Sequence, residues 1–180
     1  MPAQVPAESD PADFRIEPLN AQHEREGFTC SLAPTVERYL RTQAGQGVKR
    51  RFAAVLILTP DGHTVAGYYA LSQFSITMKD TPSETAPRLP KYPQIPATLI
   101  GRLAVDDSYG GKRLGEKLLV DALRRSFEFS TQVASFAVVV DAISKRAKSF
   151  YLKYGFIELP GIANRLFLPM TLVAELIGSL

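Results

Sequence analysis

A glycine-rich turn joins an apolar run to an amphipathic run within residues 99–119. The apolar run predicts a strand, and the leucines that recur from Leu114 onward predict a helix. Such a junction leaves free backbone N–H groups at the start of the helix, where they attract an anion. Its glycines have no Cβ and let an anion approach the backbone closely; they are Gly110, Gly111 and Gly115. With the basic Lys112 and Arg113 beside them, the junction favours a bound diphosphate, although an ordinary strand-to-helix turn uses the same residues.

A second strand and helix follow the first pair. Residues 133–140 form an apolar run typical of a buried strand, and Ser144 is a suitable N-cap for a helix that carries Tyr151. Gly155 is expected to end that helix, and residues 156–159 are expected to form another strand.

The passage over residues 148–156, with Phe150 and Tyr151 on a helix that ends in Gly155 and Phe156, resembles the signature that closes the core of the GCN5-related N-acetyltransferases (GNATs). In that family this helix follows the loop that binds the pyrophosphate of acyl-CoA, and the glycine-rich turn stands in the corresponding place. The resemblance covers nearly the whole chain. It implies an α/β (α+β) fold, with a central mixed, mostly antiparallel sheet of about six to seven strands flanked by helices.

Shorter phrases are similar to the acetyltransferase toxins of bacterial toxin–antitoxin pairs, which modify the amino group of aminoacyl-tRNA. They lie at residues 28–30, 36–40, 65–71, 92–96 and 101–105. This resemblance implies acetyl-CoA as the donor, charged tRNA as the acceptor, a homodimer, and a small DNA-binding antitoxin as a partner. A metabolic or protein N-acetyltransferase remains an alternative, as does an acyl-CoA-binding regulator without turnover, because the fold serves many amine acceptors.

The family resemblance also implies where the cofactor binds. The backbone of Leu103, Ala104 and Val105 would pair with the pantetheine amides, and the N–H groups of residues 110–115 would hold the pyrophosphate. No metal is expected. The expected cofactor-binding residues are Leu103, Ala104, Val105, Gly110, Gly111, Lys112, Arg113, Leu114, Gly115, Glu116, Asp141 and Phe150.

One position departs from the family pattern. The family loop usually has Gln or Arg, two residues, Gly, one residue, and then Gly or Ala; here the key positions hold Gly110, Arg113 and Gly115. The backbone donors survive this exchange, so pyrophosphate binding is still expected. The sequence leaves open how Arg113 adopts the tight turn, and whether its guanidinium pairs with a cofactor phosphate or lies on the surface.

Tyr151 is the candidate catalytic residue. A phenol has a pKa near 10 and a simple thiol one of about 8.5, so tyrosine is a weak acid toward a departing thiolate but a useful hydrogen-bond donor as charge develops on sulfur. Spacing alone favours a buried aromatic on an amphipathic helix, whereas the match to the family's Phe-Tyr position favours the catalytic role. Tyr154 is the second choice.

No carboxylate in the sequence stands out as a general base. An α-amine has a pKa of about 7.7–8 and is already about a quarter neutral near pH 7.5, whereas a lysine side chain is only about 0.1% neutral there. The missing base therefore favours an α-amino acceptor such as an aminoacyl ester. A base relayed through water and backbone carbonyls stays open.

Charge is unevenly distributed, although the net charge is only +3. Residues 1–26 carry six acidic and two basic side chains, whereas residues 36–51 carry one acidic and five basic side chains. A basic block attracts nucleic-acid phosphates and, given the toxin resemblance, is the expected tRNA-binding surface; a solvated helix face and a charged turn would give the same pattern. Its basic residues are Arg38, Arg41, Lys49, Arg50 and Arg51.

Composition excludes several classes of protein. Cys30 is the only cysteine, which excludes an internal disulfide, and with two histidines a zinc centre is not expected. The sequence has no apolar run long enough to span a membrane and no secretion-signal pattern, so a cytoplasmic location without membrane contact is expected.

A single domain is expected over residues 14–180, after a disordered lead over residues 1–13. Five prolines in residues 81–96 are expected to prevent a regular element there. A helix is expected near residues 35–44 and a short one over residues 171–180. The remaining strands are expected at residues 14–19, 52–58, 65–71 and 165–168.

Overall fold

The structure is a computed structural model that describes residue 10, residues 13–77, residue 79 and residues 93–179. Its strands are β1 (Arg15–Pro18), β2 (Ala54–Thr59), β3 (Gly67–Thr77), β4 (Gln94–Val105), β5 (Ala137–Asp141), β6 (Ile157–Glu158) and β7 (Arg165–Pro169). Its helices are α1 (Pro34–Thr42), α2 (Ala44–Lys49), α3 (Leu114–Phe129), α4 (Lys145–Lys153) and α5 (Met170–Gly178), and a short 3-10 turn covers Asp107–Tyr109.

Within the described residues the strands form a seven-stranded sheet in the order β1-β2-β3-β4-β5-β7-β6. The pairs β1–β2, β5–β7 and β6–β7 are antiparallel. Strands β4 and β5 are parallel, with Ala97 opposite Ala137 and Ile100 opposite Val140, and α3 is the crossover that a parallel connection needs. This mixed sheet with flanking helices confirms the expected fold class.

The chain divides into two compact units, each of which is described by itself. The first comprises Met1–Ala70 and Arg102–Leu119, and the second comprises Leu71–Gly101 and Val120–Leu180.

The core of the first unit forms around the apolar face of α1. Val36, Tyr39 and Leu40 recur at helical spacing and are buried in one cluster with residues of β2 and β3. Tyr68 of β3 is fully buried, stacks on Tyr39 with 6.4 Å between ring centroids, and meets the edge of Phe28 at 5.5 Å. These three rings pack against one another at the centre of this core, in the edge-to-face and stacked arrangements that aromatic pairs favour.

The core of the second unit forms around β5, in which four consecutive apolar residues are fully buried. Such a continuous apolar run is typical of a central parallel strand. The following helix, α4, begins as expected, because the Ala147 N–H donates to Ser144 Oγ at 3.1 Å. It also ends as expected, with Gly155 at a φ of +85°.

Three sequence expectations need correction. The proline-rich stretch was expected to exclude a regular element up to Pro96, yet β4 begins at Gln94, since proline lacks only the N–H and the Pro96 carbonyl still accepts from Phe136 N at 2.8 Å. The helix expected near residues 35–44 is followed by a second, α2, which was missed because glycines at 45 and 47 are poor helix formers. The strand expected from residue 133 begins only at Ala137.

Two other expectations fall on residues outside the description. The disordered lead expected over residues 1–13 and the loop expected over residues 81–96 fall mostly on residues 1–9, 11, 12 and 81–92, whose structure is not described. Over the described ranges, no helix combines the length and the apolar character that crossing a membrane requires.

Replacing Ser144 with alanine is expected to lower the free energy of unfolding by about 1 kcal/mol, because the Ala147 N–H at the start of α4 loses its acceptor. The control is Ser149→Ala at an exposed position of the same helix, where alanine is the better helix former and no loss is expected. Urea denaturation of both variants measures the difference, and equal destabilisation would show that the cap contributes nothing.

Candidate active site

The junction between β4 and α3 presents a cluster of free backbone N–H groups. Within the described part of the chain, the N–H groups of residues 110–116 donate to no other protein atom. The next N–H, that of Lys117, donates to Arg113 O at 3.2 Å. Because these free donors surround the N-terminus of a 16-residue helix, the junction is suited to bind an anion such as a diphosphate.

A left-handed backbone conformation shapes this junction. Gly111 has a φ of +79°, and Arg113 has a φ of +56°, which costs a residue with a side chain about 1–2 kcal/mol. The Arg113 guanidinium donates to Glu116 Oε2 from Nη2 at 2.6 Å and from Nε at 2.8 Å, and its side chain is 78% exposed. Arg113 thus adopts the left-handed conformation, and its guanidinium pairs with Glu116 at the surface; a contact with a cofactor phosphate stays a prediction.

Two carboxylates fix the start of the junction. Asp106 is buried and accepts from Ser108 N at 2.8 Å, from Thr29 N at 2.7 Å and from Thr29 Oγ1 at 3.1 Å. Asp107 accepts from Ser31 N at 2.9 Å, and its own N–H donates to Thr29 O at 2.9 Å. The sequence did not reveal these contacts because the partners lie 76 to 78 residues apart. The one local signal was an aspartate that caps the 3-10 turn.

The end of β4 has backbone beyond its pairing with β5. That pairing ends at Ile100, so Leu103, Ala104 and Val105 lie past the last paired residue. Within the first unit, the backbone of β3 approaches that of β4 closely at Gly67, where a Cβ would lie only 2.9 Å from the carbonyl oxygen of Ala104. To pair with the pantetheine amides, as expected, these three residues need backbone N–H and C=O groups that are not already hydrogen-bonded to a neighbouring strand.

Tyr151 combines a buried ring with an uncommitted hydroxyl. The residue is 7% exposed, and its ring packs against Phe150 at 5.3 Å and Phe156 at 5.4 Å between centroids. Its hydroxyl has no hydrogen-bond partner in the described parts of the chain, and its oxygen is not completely buried. Burial raises the pKa of Tyr151 to about 12, so the phenol stays protonated and can donate.

Two further residues expected at the cofactor lie near Tyr151 in the sequence. Asp141 is held by Arg165, whose Nε and Nη2 lie 2.7 and 2.9 Å from its two carboxylate oxygens. Phe150 is half-buried, with its ring also 5.1 Å from that of Tyr154. Contacts of Asp141 and Phe150 with a cofactor stay a prediction.

The basic block in residues 36–51 does not form one uniform surface. Arg41 donates to Phe28 O from Nη2 at 2.6 Å and pairs with Glu37 at 3.1 Å, so its guanidinium helps to hold the fold. Arg50 lies over the exposed ring of Phe52, with 5.3 Å between its guanidinium carbon and the ring centroid. The exposed members are Arg38, Lys49, Arg50 and Arg51.

No group of metal-ligating side chains occurs among the residues that the structure describes. The predicted site residues divide between the two compact units. Leu103–Val105, residues 110–116 and the basic block belong to the first unit, whereas Asp141, Phe150 and Tyr151 belong to the second.

The sequence matches a known protein family, in which the cofactor-binding loop is expected at the β4–α3 junction. Residues 25–156 match the family described as "Acetyltransferase (GNAT) family". The chain therefore belongs to this family of acetyltransferases, as the sequence resemblance implied.

Two curated relatives carry the names of toxins. A protein of Sinorhizobium fredii named "Probable toxin TacT" is 31% identical over 91% of this chain and 94% of its own length. The "tRNA-acetylating toxin" of Mycobacterium tuberculosis is 31% identical over 81% of this chain and 86% of its own length.

Solved structures of similar toxins agree closely in fold. A tyrosine-to-phenylalanine mutant of KacT superposes with a TM-score of 0.84 at 27% identity, over 91% of this chain and 98% of that one. AtaT complexed with acetyl-methionyl-tRNAfMet gives 0.84 at 28% identity over the same shares. AtaTR bound with acetyl-CoA gives 0.79 at 28% identity, over 92% and 98%.

Replacing Arg113 with glycine is expected to leave the protein about 1 kcal/mol more stable than replacing it with alanine. Both variants remove the ion pair with Glu116, so the difference isolates the left-handed backbone. Urea denaturation measures it. The opposite order, with alanine more stable as in an ordinary helix, would show that residue 113 is not left-handed in solution.

Proposed function

We propose that this protein transfers the acetyl group of acetyl-CoA to the α-amino group of an aminoacyl-tRNA and thereby blocks translation. The observation that carries the proposal is the set of free N–H groups at residues 110–116, which suits the diphosphate of acetyl-CoA. The acceptor is supported by the relatives, since one is named for tRNA acetylation and AtaT forms a complex with acetyl-methionyl-tRNA. Acetylation removes the amine nucleophile that peptide-bond formation requires.

Binding of the donor is assigned to backbone groups. When bound, acetyl-CoA supplies a thioester that an amine attacks directly. The N–H groups of residues 110–116 donate to the diphosphate oxygens, with Lys112 adding positive charge, and the backbone of Leu103, Ala104 and Val105 pairs with the pantetheine amides. This arrangement orients the donor without requiring a particular side chain at residue 113.

Tyr151 is assigned the proton-donor role. As the neutral amine nitrogen bonds to the acetyl carbon and the carbon–sulfur bond breaks, negative charge would develop on sulfur, and the Tyr151 hydroxyl would donate a hydrogen bond to it. The proton that the nitrogen loses balances the one that sulfur gains, so the products are an amide and a thiol. The uncommitted hydroxyl and the raised pKa of Tyr151 support this role. The similar structures of KacT and AtaT that carry a tyrosine-to-phenylalanine mutation also favour a tyrosine.

The acceptor amine needs little help to lose its proton. Asp106, the buried carboxylate of the first unit, already accepts three hydrogen bonds from Thr29 and Ser108 and is not poised as a base. An α-amine with a pKa of about 7.7–8 supplies enough neutral nucleophile at physiological pH. An aminoacyl ester fits this requirement better than a lysine side chain.

The proposal extends to partners and location. Arg38, Lys49, Arg50 and Arg51 are exposed and suited to contact tRNA phosphates, while a role for Arg41 in tRNA binding stays a prediction. A small DNA-binding antitoxin is the expected partner, supported by structures of AtaT with the antitoxin AtaR and with DNA. We place the protein in the cytoplasm, where both substrates occur, as a homodimer.

Incubation with labelled acetyl-CoA is expected to label charged tRNA and not uncharged tRNA. Tyr151→Phe is expected to lower kcat about 100-fold with little change in acetyl-CoA affinity, because only the hydroxyl is removed. Tyr154→Phe, at the C-cap residue that follows the same helix, is the control and is expected to stay active. Label on protein or metabolite amines alone would contradict the proposed acceptor, and loss with Tyr154→Phe rather than Tyr151→Phe would reverse the assignment of the donor.

We expect kcat/KM to rise with pH as the acceptor amine loses its proton, with a midpoint near the pKa of that amine, about 8. Because burial raises the pKa of Tyr151 to about 12, the donor stays protonated and no fall is expected below about pH 10. Initial rates between pH 6 and pH 10 check this. A descending limb that disappears in Tyr151→Phe would show that the phenol titrates normally.

A further inference from the structure

Arg102 lies over an aromatic ring in the first unit. Its guanidinium carbon is 3.6 Å from the ring centroid of Tyr39, a close cation–π stack. Arg102 is two residues before Ala104 on β4, so the two side chains share a face of the strand, and Ala104 is buried in the same cluster as Tyr39. The strand therefore directs Arg102 onto α1.

The ring beneath Arg102 is firmly held. Tyr39 is buried and stacks on Tyr68 with an interplanar angle of 18°. Tyr68 is fully buried, and its hydroxyl donates to Val36 O at 2.6 Å, which fixes it to the same helix as Tyr39. A guanidinium that rests on such a platform has lost much of its freedom before it meets a ligand, so ordering it costs less.

Arg102 has no polar partner in the described residues, unlike the other arginines of similar burial. Each of those arginines donates to a carbonyl or a carboxylate. Arg25 donates to Leu40 O, Arg41 to Phe28 O and Glu37, Arg125 to Asp121, and Arg165 to Asp141. No completely buried nitrogen without a partner occurs among the described side chains, so the Arg102 N–H groups still meet solvent. A half-buried cation with an open planar fork is suited to a bidentate anion.

We propose that Arg102 is a substrate-binding residue that binds a backbone phosphate of the tRNA acceptor strand, held in place by Tyr39. The proposal rests on the proposed function. Arg102 immediately precedes Leu103–Val105, the residues assigned to the pantetheine, so a phosphate bound there lies close to the acylated end of the substrate. A phosphate is favoured over a protein carboxylate because Arg38, the exposed residue that precedes Tyr39 on α1, adds a second positive charge to the same helix.

The test compares Arg102→Gln with Arg124→Gln, which removes the same charge from an exposed position of α3. Arg102→Gln is expected to raise KM for charged tRNA about tenfold or more, with kcat and the KM for acetyl-CoA unchanged. The same variant should also make the slope of the logarithm of the tRNA binding constant against the logarithm of salt concentration shallower by about 0.7–0.9, which corresponds to the loss of about one phosphate contact. Arg102→Lys should be intermediate, since it keeps the charge but loses the planar fork.

The outcomes separate this inference from the proposed function. If wild type acetylates charged tRNA but both glutamine variants have the same KM and salt slope, Arg102 does not bind phosphate and the inference is wrong. If Arg102→Gln instead lowers the unfolding temperature and weakens acetyl-CoA and tRNA together, Arg102 is only structural. If it weakens binding of an antitoxin peptide and not of tRNA, the anion is a protein carboxylate. Failure of wild type to acetylate charged tRNA would overturn the proposed function itself.

Discussion

The left-handed turn between β4 and α3 is the constraint on which the site depends. A helix start is usually closed by a side chain that accepts from its first N–H groups, whereas here, among described residues, those of residues 110–116 remain free. Gly111 and Arg113 make this possible by turning the backbone through positive φ, at a conformational cost in Arg113. An anion that accepts from several of these donors, as proposed for the diphosphate, would offset that cost.

The turn is supported by contacts from a segment distant in sequence. Asp106 and Asp107 accept from the backbone of residues 29 and 31, and Arg41 donates to the carbonyl of Phe28 from α1. The short segment of residues 28–31 is therefore fixed to the β4–α3 junction on one side and to α1 on the other. Within the first unit, the segment of residues 28–31 supports both the proposed diphosphate site and the Tyr39 ring beneath Arg102. We therefore expect a substitution at Asp106 to disturb both.

Local patterns in the sequence predicted the elements well, and long-range ties poorly. The Ser144 cap, the Gly155 stop and the apolar run of β5 were all readable, because each depends on neighbours within a few residues. The Asp106–Thr29 tie was not, since nothing local reveals which backbone groups 77 residues away need an acceptor. Likewise the Arg102 stack on Tyr39 depends on how β4 meets α1, and a count of charges could not show that the Arg41 guanidinium donates to Phe28 O.

Amide chemical shifts of residues 110–116, followed by ¹H–¹⁵N NMR during titration, test most directly whether these donors bind the diphosphate of acetyl-CoA. The matched ligand is S-acetylpantetheine, which carries the same thioester and amides but no diphosphate. Acetyl-CoA is expected to shift the Gly110, Gly111 and Gly115 amide protons downfield as they become donors to phosphate, whereas S-acetylpantetheine should leave them in place. Saturable binding of acetyl-CoA with these amides unmoved would contradict the assignment of the junction as the diphosphate site.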